Sequence, residues 1–327
     1  MTDVVAVTDH VFPNLDVERD LLGRAGLELR FEGNARTPDE VRAATAGAVG
    51  VLNCYAPMPA EVIGALDRCR VIARYGIGID TIDLAAATRK GIVVTNVPDY
   101  CIDEVSDHAL ALILSLVRGV VRLDRSVHAG AWSPNEARPL HRIAGRTLGL
   151  VGFGRIARRL AVKATALGFR VVATDPFVSA QAMQDAGVGY RDLHALLAES
   201  DVVSLHAPLT DESRHLIGAP ELARMKRGAV LVNTSRGPLV DIAALRDALA
   251  GGSLGGAGLD VLETEPPDPD DPLLGRADVV VTPHASFYSE ESIAELQRKA
   301  AEQVVAALAG GRPTYAVNAD ELSSSGR

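Results

Sequence analysis

The sequence has few aromatic residues and few cysteines. Aromatic residues make up 4% of the 327 residues, whereas alanine, valine, leucine and glycine are abundant, and this composition favours parallel strands covered by helices. The cysteines are Cys54, Cys69 and Cys101. They are far apart, without Cys-x-x-Cys spacing or a neighbouring histidine cluster, which argues against a disulfide framework and a zinc site. We expect buried free thiols and no bound metal.

Long apolar runs and basic runs are also absent. No apolar stretch approaches the ~18 residues that a membrane-spanning helix requires, and residues 1–5 lack the basic segment of a secretion signal. The net charge is −9, the acidic residues are dispersed, and no run of lysine and arginine marks a nucleic-acid-binding surface. We therefore expect a cytoplasmic protein without a membrane or nucleic-acid partner.

A short apolar run that ends in a glycine-rich turn organises the chain. Residues 147–151 predict a strand, and the helical pattern after the turn continues to residue 168. Gly152 permits the sharp turn, Gly154 lets the backbone approach a pyrophosphate, and Ala157 lets helix and strand pack closely. Together these features predict a strand, turn and helix that bind a dinucleotide.

The helix after this turn would present its first residues, Arg155 and Ile156, to the phosphates. A second apolar run, residues 170–174, ends in Asp175, which follows Gly152 at close to the ~20-residue offset of a carboxylate that binds the adenosine ribose. Glycine turns also occur without ligands. The prediction therefore depends on both strands, the helix and the carboxylate together.

Predicted strands alternate with helices along the chain. The first hundred residues contain strands at 4–8, 27–31, 48–52, 71–74 and 92–95. A helix is expected at 83–90, with Asp83 as its N-cap and Gly91 at its end. Four later strands are predicted at 202–205, 230–234, 257–260 and 279–282. Together with the two strands beside the glycine turn, they would form a six-stranded parallel sheet.

The predicted fold is therefore α/β with two domains. A Rossmann dinucleotide-binding domain with a six-stranded parallel sheet occupies residues 102–288, and a flavodoxin-like substrate domain, discontinuous in sequence, occupies 1–101 and 289–327. A final amphipathic helix at 289–309 would return to the first unit. The residues from 318 onward resemble a frayed tail.

A long helical pattern runs from residue 103 to residue 129. Apolar residues recur at spacings of three and four and form one stripe of Val105, Ala109, Leu112, Leu116, Val120, Leu123 and Val127. Such a helix has more apolar surface than one domain needs. We expect this helix to be an interdomain strut or a subunit interface, with a homodimer through it, and an ordinary buried helix is the alternative.

Polar residues after the later strands carry the chemistry, because ligands of open α/β sheets bind beyond the carboxyl ends of the strands. Arg236 follows one strand, and its planar guanidinium can bind a carboxylate by two parallel hydrogen bonds, although a surface salt bridge is the alternative. Glu265 and His284 follow the next two strands, and an imidazole beside a carboxylate suits proton transfer. With the dinucleotide site, they predict hydride transfer between a nicotinamide and a 2-hydroxy or 2-keto acid.

The motifs around these residues resemble those of the D-isomer-specific 2-hydroxyacid dehydrogenases, in the same order and over residues 3–318. They are Gly76-Ile77-Gly78-Ile79-Asp80-Thr81-Ile82-Asp83, Gly152-Phe153-Gly154-Arg155-Ile156-Ala157, His206-Ala207-Pro208-Leu209-Thr210, Val232-Asn233-Thr234-Ser235-Arg236-Gly237, Gly258-Leu259-Asp260-Val261 and Pro283-His284. The resemblance implies NAD as the cofactor and a small 2-hydroxy or 2-keto acid as the substrate.

The same resemblance implies roles for individual residues. Arg236 would bind the substrate carboxylate, His284 would be the acid/base, and Glu265 would hold His284. The other domain would contact the substrate at Arg74, Tyr55 and the backbone amides of Ile77 and Gly78. The cofactor would contact Gly152, Gly154, Arg155, Ile156, Asp175 on the ribose, His206 and Pro208 beside the adenine, Thr234, Ser235, Arg236, Asp260 near the carboxamide, and His284.

Within the family, residues 282–290 and 175–177 are most similar to the branch of the C-terminal-binding proteins, near the phosphoglycerate-dehydrogenase-like members, and Arg74 matches a pocket arginine of that branch. The chain departs from it at Phe287, where the corepressors have Trp, and in the pocket loop Asn53-Cys54-Tyr55. We expect an NAD-dependent dehydrogenase that reduces a small 2-keto acid. An NAD(H)-sensing binding protein of the corepressor type is the alternative. Formate oxidation is less favoured, because formate enzymes carry Gln where Glu265 stands.

Overall fold

Two parallel β-sheets flanked by helices make up the computed structural model of this chain, which describes residues 2–324. The strands are β1 (Asp3–Val7), β2 (Leu27–Arg30), β3 (Gly50–Asn53), β4 (Val71–Arg74), β5 (Val93–Thr95), β6 (Thr147–Val151), β7 (Arg170–Thr174), β8 (Gly189–Tyr190), β9 (Val202–Leu205), β10 (Ala229–Asn233), β11 (Leu254–Leu259) and β12 (Val279–Val281). The helices are α1 (Asp16–Arg24), α2 (Pro38–Thr45), α3 (Ala60–Gly64), α4 (Leu84–Arg89), α5 (Ile102–Val117), α6 (Val120–His128), α7 (Arg155–Ala166), α8 (Ala180–Asp185), α9 (Leu193–Glu199), α10 (Ala219–Arg224), α11 (Ile242–Ala250), α12 (Glu290–Leu308) and α13 (Ala319–Ser324). None of the helices described has both the length and the hydrophobicity needed to cross a membrane.

The first compact unit contains the chain up to Cys101 together with the chain from Tyr288 onward. Its strands are all parallel, in the order β2-β1-β3-β4-β5. This is the flavodoxin-like order, in which the direction of winding reverses between β1 and β3. The flavodoxin-like fold and the five predicted strands are confirmed. Cys54, Cys69 and Cys101 are buried thiols outside any disulfide, as predicted.

Side-chain caps begin several helices of this unit, among them α4 and α12. Asp83 accepts the N–H of Ala86 at 2.8 Å before α4, and Gly91 just beyond that helix has φ +76°, as its sequence position predicts. Ser289 accepts the N–H of Ser292 at 2.9 Å at the start of α12. The helix α12 packs against α1 and the strands β3 and β4.

The prediction of a frayed tail from residue 318 is wrong for the part that the structure describes. The residues from Ala319 form α13, and Asn318 before it is fully buried. Its Oδ1 accepts the N–H of Val94 at 2.9 Å, and its Nδ2 donates to Thr88 Oγ1 and to the carbonyl of Ile92, both at 2.9 Å. These bonds join residues that are more than 220 positions apart along the chain, so the local sequence does not indicate them. Residues 325–327 lie outside the described part.

The second compact unit runs from Ile102 to Phe287. Its strands are all parallel, in the order β12-β11-β10-β9-β6-β7-β8. The winding reverses between β6 and β9, as in dinucleotide-binding sheets, and this confirms the Rossmann fold. The predicted count of six strands is wrong, because β8 adds a seventh. With two residues, Gly189 and Tyr190, β8 is too short to show an apolar pattern.

Helices cover both faces of this sheet. Leu148 and Leu150 of β6 pack with buried residues of α5 and α7 on one face. Val203 and Leu205 of β9 pack with buried residues of α9 and α11 on the other. Because successive side chains of a strand point to opposite faces, a sheet covered on both sides requires strands that are apolar throughout.

The predicted single helix over 103–129 is wrong. The chain forms α5, then turns at Gly119, which has φ +62°, and continues as α6. A side chain at residue 119 would crowd the Ala137 Cβ, 3.0 Å away. In the sequence, the apolar residues keep their spacing of three and four across Gly119. One residue in the left-handed conformation does not change that spacing, so the pattern does not reveal the break. Val105, Ala109 and Leu112 of the stripe are buried in α5, whereas no residue of α6 is buried.

Candidate active site

The carboxyl ends of several strands of the second sheet lie along one edge. In the register of the sheet, Val151 of β6 stands opposite Thr174 of β7 and Leu205 of β9. The row continues through Asn233 of β10 and Leu259 of β11. The turns after these strands therefore start side by side. They carry Gly152, Asp175, His206, Thr234, Arg236, Asp260, Glu265 and, after β12, His284.

Gly152 makes the tight turn after β6. Its φ is +88°, and a Cβ at this position would lie 2.7 Å from the carbonyl carbon of His206. Both the backbone conformation and the close approach of the loop after β9 therefore require glycine. At Gly154, by contrast, no described residue beyond the local backbone has an atom within 4 Å of the place that a Cβ would occupy. A phosphate that approaches this backbone needs such open space.

The amino terminus of α7 is suited to an anion. The helix has 12 residues, begins at Arg155, and has no side-chain cap at Gly154. The first N–H groups of a helix lack intrahelical acceptors and carry partial positive charge. Arg155 and Ile156 lie in this first turn, and Ala157 is fully buried below it. The turn can therefore hold the pyrophosphate of a dinucleotide.

The carboxylate of Asp175 lies beside the same turn. Its Oδ2 accepts the N–H of Phe153 and its Oδ1 accepts the N–H of Phe177, each at 2.8 Å. The two bonds set the orientation of the carboxylate at the end of β7. This position fits a carboxylate that binds the ribose hydroxyls of a dinucleotide.

His206 follows β9 and packs against the glycine turn. Its Nε2 lies 2.9 Å from Ser204 Oγ. Burial lowers the pKa of His206 to about 4, because the charged imidazolium is disfavoured away from water. His206 is therefore neutral at pH 7 and does not donate a proton there. Pro208 lies in the exposed loop that follows.

Asn233 shapes the loop that carries Arg236. Its buried side chain donates from Nδ2 to the carbonyl of Arg236 at 2.8 Å and accepts the N–H of Ser235 at 3.0 Å. Ser235 Oγ donates to the carbonyl of Ala207 at 2.8 Å, and the Arg236 guanidinium donates to the carbonyl of Ser235 at 2.8 Å. The sequence pattern indicates no role for Asn233, yet this residue sets the path of the loop.

Thr234 and Gly237 lie close to Arg236 in the same loop. The Thr234 side chain is buried, and its Oγ1 has no hydrogen-bond partner within residues 2–324. Such a hydroxyl marks a position where a ligand can supply the missing bond. A Cβ at Gly237 would lie 2.0 Å from the carbonyl carbon of Leu262. The Arg236 loop therefore lies directly against the loop that leads to Glu265.

His284 and Glu265 form a pair between two loops. Nδ1 of His284 lies 2.8 Å from Oε2 of Glu265, and Oε1 of Glu265 accepts the N–H of Leu262 at 2.9 Å. Because both carboxylate oxygens are bonded, the orientation of the imidazole is set through Nδ1. Nε2 is then the ring nitrogen that Glu265 does not engage, and it is suited to exchange a proton with a substrate.

Asp260 holds the loop that carries His284. Its buried carboxylate accepts the Thr282 hydroxyl at 2.6 Å and the N–H groups of Ala285 and Ser286 at 2.8 and 2.9 Å. Its carbonyl accepts the N–H of His284 at 2.8 Å. His284 has φ +51°, which is rare for a residue other than glycine, and such strain persists only where several bonds enforce it.

His108 of α5 extends this network and was not among the predicted residues. Its Nε2 lies 2.9 Å from Thr282 Oγ1 and 3.6 Å from Asp260 Oδ1. A single histidine beside the apolar stripe of a helix was the one signal in the sequence. That signal does not show which strand end the helix packs against.

The other predicted substrate residues belong to the first unit: Arg74 is the last residue of β4, Tyr55 follows β3, and Ile77 and Gly78 follow β4. The Arg74 side chain is buried, its Nε donates to the carbonyl of Cys54 at 3.2 Å, and its guanidinium carbon lies 5.8 Å from the centre of the Tyr55 ring. Ile77 and Gly78, in the turn after β4, are partly exposed. Within this unit, the structure groups Arg74 with Tyr55.

The fold and the strand-end residues of the second unit define an NAD-binding oxidoreductase with a histidine–carboxylate pair. A family model described as "D-isomer specific 2-hydroxyacid dehydrogenase, NAD binding domain" matches residues 110–286. A glyoxylate reductase of Korarchaeum cryptofilum is 44% identical over 266 residues, 80% of each chain. A glycerate dehydrogenase of Methylorubrum extorquens is 39% identical over 291 residues, 86% of this chain and 90% of the relative.

A solved structure agrees with these relatives. The D-lactate dehydrogenase of Aquifex aeolicus, complexed with NAD and lactic acid, superposes with a TM-score of 0.85 at 30% identity, over 94% of this chain and 96% of that one. The chain belongs to the D-isomer-specific 2-hydroxyacid dehydrogenase family. It is an NAD-dependent dehydrogenase, as the sequence motifs predict.

Proposed function

We propose that the chain reduces a small 2-keto acid to the D-2-hydroxy acid with NADH. The pair of His284 and Glu265, 2.8 Å apart, carries this proposal. It combines a group that can move a proton with a partner that fixes the orientation of the ring. Arg236, on a loop in backbone contact with that of Glu265, adds a cation for the substrate carboxylate.

The proposed roles follow from the chemistry of the reduction. When bound, NADH supplies the hydride that becomes the new C–H bond at C2 of the acid. His284 donates the proton to the C2 oxygen, so one hydride and one proton convert the ketone to the hydroxyl. Glu265 orients the imidazole, and Arg236 binds the carboxylate by two parallel hydrogen bonds.

We also propose which residues hold the ligands. Asp175 would bind the ribose, and the orphaned Thr234 hydroxyl would bond to the cofactor. The remaining cofactor contacts would be Gly152, Gly154, Arg155, Ile156, His206, Pro208, Ser235 and Asp260. Arg74, Tyr55, Ile77 and Gly78 would contact the substrate. The second unit would thus be the NAD-binding domain and the first the substrate domain.

A panel of 2-keto acids tests the proposed reaction. The named relatives act on glyoxylate, glycerate or lactate, so glyoxylate, hydroxypyruvate and pyruvate are the first candidates. NADH absorbance should fall with at least one of them, and chiral chromatography should show the D-isomer of any chiral product. NADH binding by fluorescence without turnover on the whole panel would instead favour the NAD(H)-sensing alternative.

We further propose a homodimer in the cytoplasm. The region around α6 exposes Val120, Val127 and Trp132, the last to 89% of its surface. Exposed apolar side chains grouped on a helix and the segment after it are typical of a subunit interface. Light scattering coupled to gel filtration should give twice the chain mass of 34.4 kDa, and a monomer would contradict this proposal.

A further inference from the structure

Asp9, two residues beyond β1, directs its carboxylate into the first unit. Oδ1 accepts the Thr8 hydroxyl at 2.7 Å and the N–H of Cys54 at 3.0 Å. Oδ2 accepts the N–H groups of Tyr55 and Ala56 at 2.7 and 3.1 Å. Three consecutive backbone N–H groups thus point to one buried carboxylate. Hydrogen bonds to an ionised acceptor are roughly twice as strong as neutral ones.

These bonds decide which side chains of the loop face outward. Cys54 and Ala56 are buried, with the Cys54 residue 3% exposed, whereas Tyr55 between them is 37% exposed. Arg74 holds the opposite side of the loop, because its Nε donates to the carbonyl of Cys54. The loop is therefore bonded through its N–H groups to Asp9 and through a carbonyl to Arg74.

We propose that Asp9 is a positioning residue for the substrate. It binds the backbone of residues 54–56, keeps Tyr55 outward beside Arg74, and keeps the Cys54 thiol inward. The inference rests on the proposed function, in which Tyr55 and Arg74 contact the 2-keto acid. If Asp9 served only the stability of the unit, its loss would lower the melting temperature without altering substrate affinity or the exposure of Cys54.

Asp9→Asn tests this proposal in the full-length enzyme. Asn has the shape of Asp but one acceptor oxygen, so its amide N–H groups would face backbone N–H groups in the loop. We expect KM for the best 2-keto acid to rise about tenfold, which corresponds to ~1.4 kcal/mol, with kcat and KM for NADH changed by less than about threefold. Thr8→Val replaces the hydroxyl that bonds to Asp9 with a methyl group, should move KM in the same direction by less, and serves if Asp9→Asn does not fold.

The thiol of Cys54 supplies a readout that is independent of turnover. Burial raises the pKa of Cys54 to about 12, so the native thiol resists aromatic disulfide reagents at pH 8. In Asp9→Asn the released loop should expose this thiol and increase its labelling rate at least about tenfold. Peptide mass spectrometry identifies the labelled residue, and Cys69 and Cys101, buried in the same unit, should keep their native rates.

Asn318→Ala is the matched control. Asn318 is also fully buried and hydrogen-bonded in the first unit, but its partners Val94, Ile92 and Thr88 lie outside the loop. It should lower the melting temperature without changing KM or Cys54 labelling. Unchanged KM and labelling in Asp9→Asn, or equal changes in both variants, would overturn the proposal. A wild-type enzyme inactive on every acid refutes the proposed function, whereas faster Cys54 labelling in Asp9→Asn would still support the part of Asp9 in holding the loop.

Discussion

The carboxylate of Glu265 binds the imidazole of His284 and the backbone of its own loop at once. One oxygen lies 2.8 Å from His284 Nδ1, and the other accepts the N–H of Leu262 at 2.9 Å. The ring is therefore oriented by a carboxylate that is itself held in place. If His284 transfers a proton as proposed, this support by bonded neighbours would keep its geometry suited to the step.

His284→Gln should reduce turnover of the 2-keto acid by about 10²–10⁴-fold, the range for the loss of general acid catalysis. Gln retains part of the shape but donates no proton to the substrate oxygen. NADH affinity, measured by fluorescence titration, should stay within about threefold of the wild-type value. His194→Gln, at an exposed position of α9, is the control. Wild-type turnover in His284→Gln would remove His284 from the mechanism.

Arg236→Lys should lower kcat/KM for the 2-keto acid by about 100-fold and leave NADH binding nearly unchanged. An ammonium is a point charge and cannot form the two parallel bonds of a guanidinium with a carboxylate. Steady-state kinetics at saturating NADH measure the effect. Arg224→Lys, at an exposed position in α10, should have no effect. Equal losses in the two variants would point to a general effect of the substitution and not to carboxylate binding.

Asp175→Ala should narrow the preference for NADH over NADPH by about tenfold or more, since the carboxylate would repel a 2′-phosphate. The ratio of kcat/KM with the two cofactors measures this preference. Phe177→Ala is a control in the same turn, because the Phe177 side chain is 93% exposed and only its backbone bonds to Asp175. A wild-type enzyme that uses both cofactors equally would show that Asp175 does not select between them.

His206 should make the stability of the second unit depend on pH. The pKa of His206 is about 4 in the native protein, below the ordinary value of 6.5. Between these two pH values the ring is protonated in the unfolded chain and neutral in the native protein. Stability is therefore unaffected above pH 6.5 and falls as the pH drops towards 4, with a loss of about 2 kcal/mol at pH 5. Urea unfolding at pH 7.5 and pH 5 measures the free energy of unfolding. This free energy should fall less between the two pH values in His206→Asn than in the wild type. An equal fall in the free energy of unfolding in both proteins would contradict this account.

Much of the fold could be predicted from local patterns. The strands β1 to β5 and the cap at Asp83 depend on neighbouring residues, and their prediction is confirmed. The continuous helix over 103–129 was wrong because one left-handed glycine, Gly119, does not disturb the apolar spacing. The two-residue strand β8 was missed because it is shorter than any period that a sequence can display.

The candidate site was predictable only in part. Residues that directly follow strands, such as Arg236 and His284, could be located because parallel strands end at one edge of a sheet. The residues that hold them could not. Asn233 and His108 look unremarkable in the sequence, and their bonds to the Arg236 loop and to Thr282 depend on how distant segments pack.

Short-range physics controls most of the strands and helices and the polar residues that follow the strands, so these features could be predicted along the chain. Contacts between distant segments could be found in the tertiary structure alone. Asp9 meets the N–H groups of residues 54–56 across about 45 intervening positions, and burial rather than any local motif sets the pKa of His206. Hydrogen bonding and desolvation act between groups that the fold brings together, so no pattern along the chain encodes them.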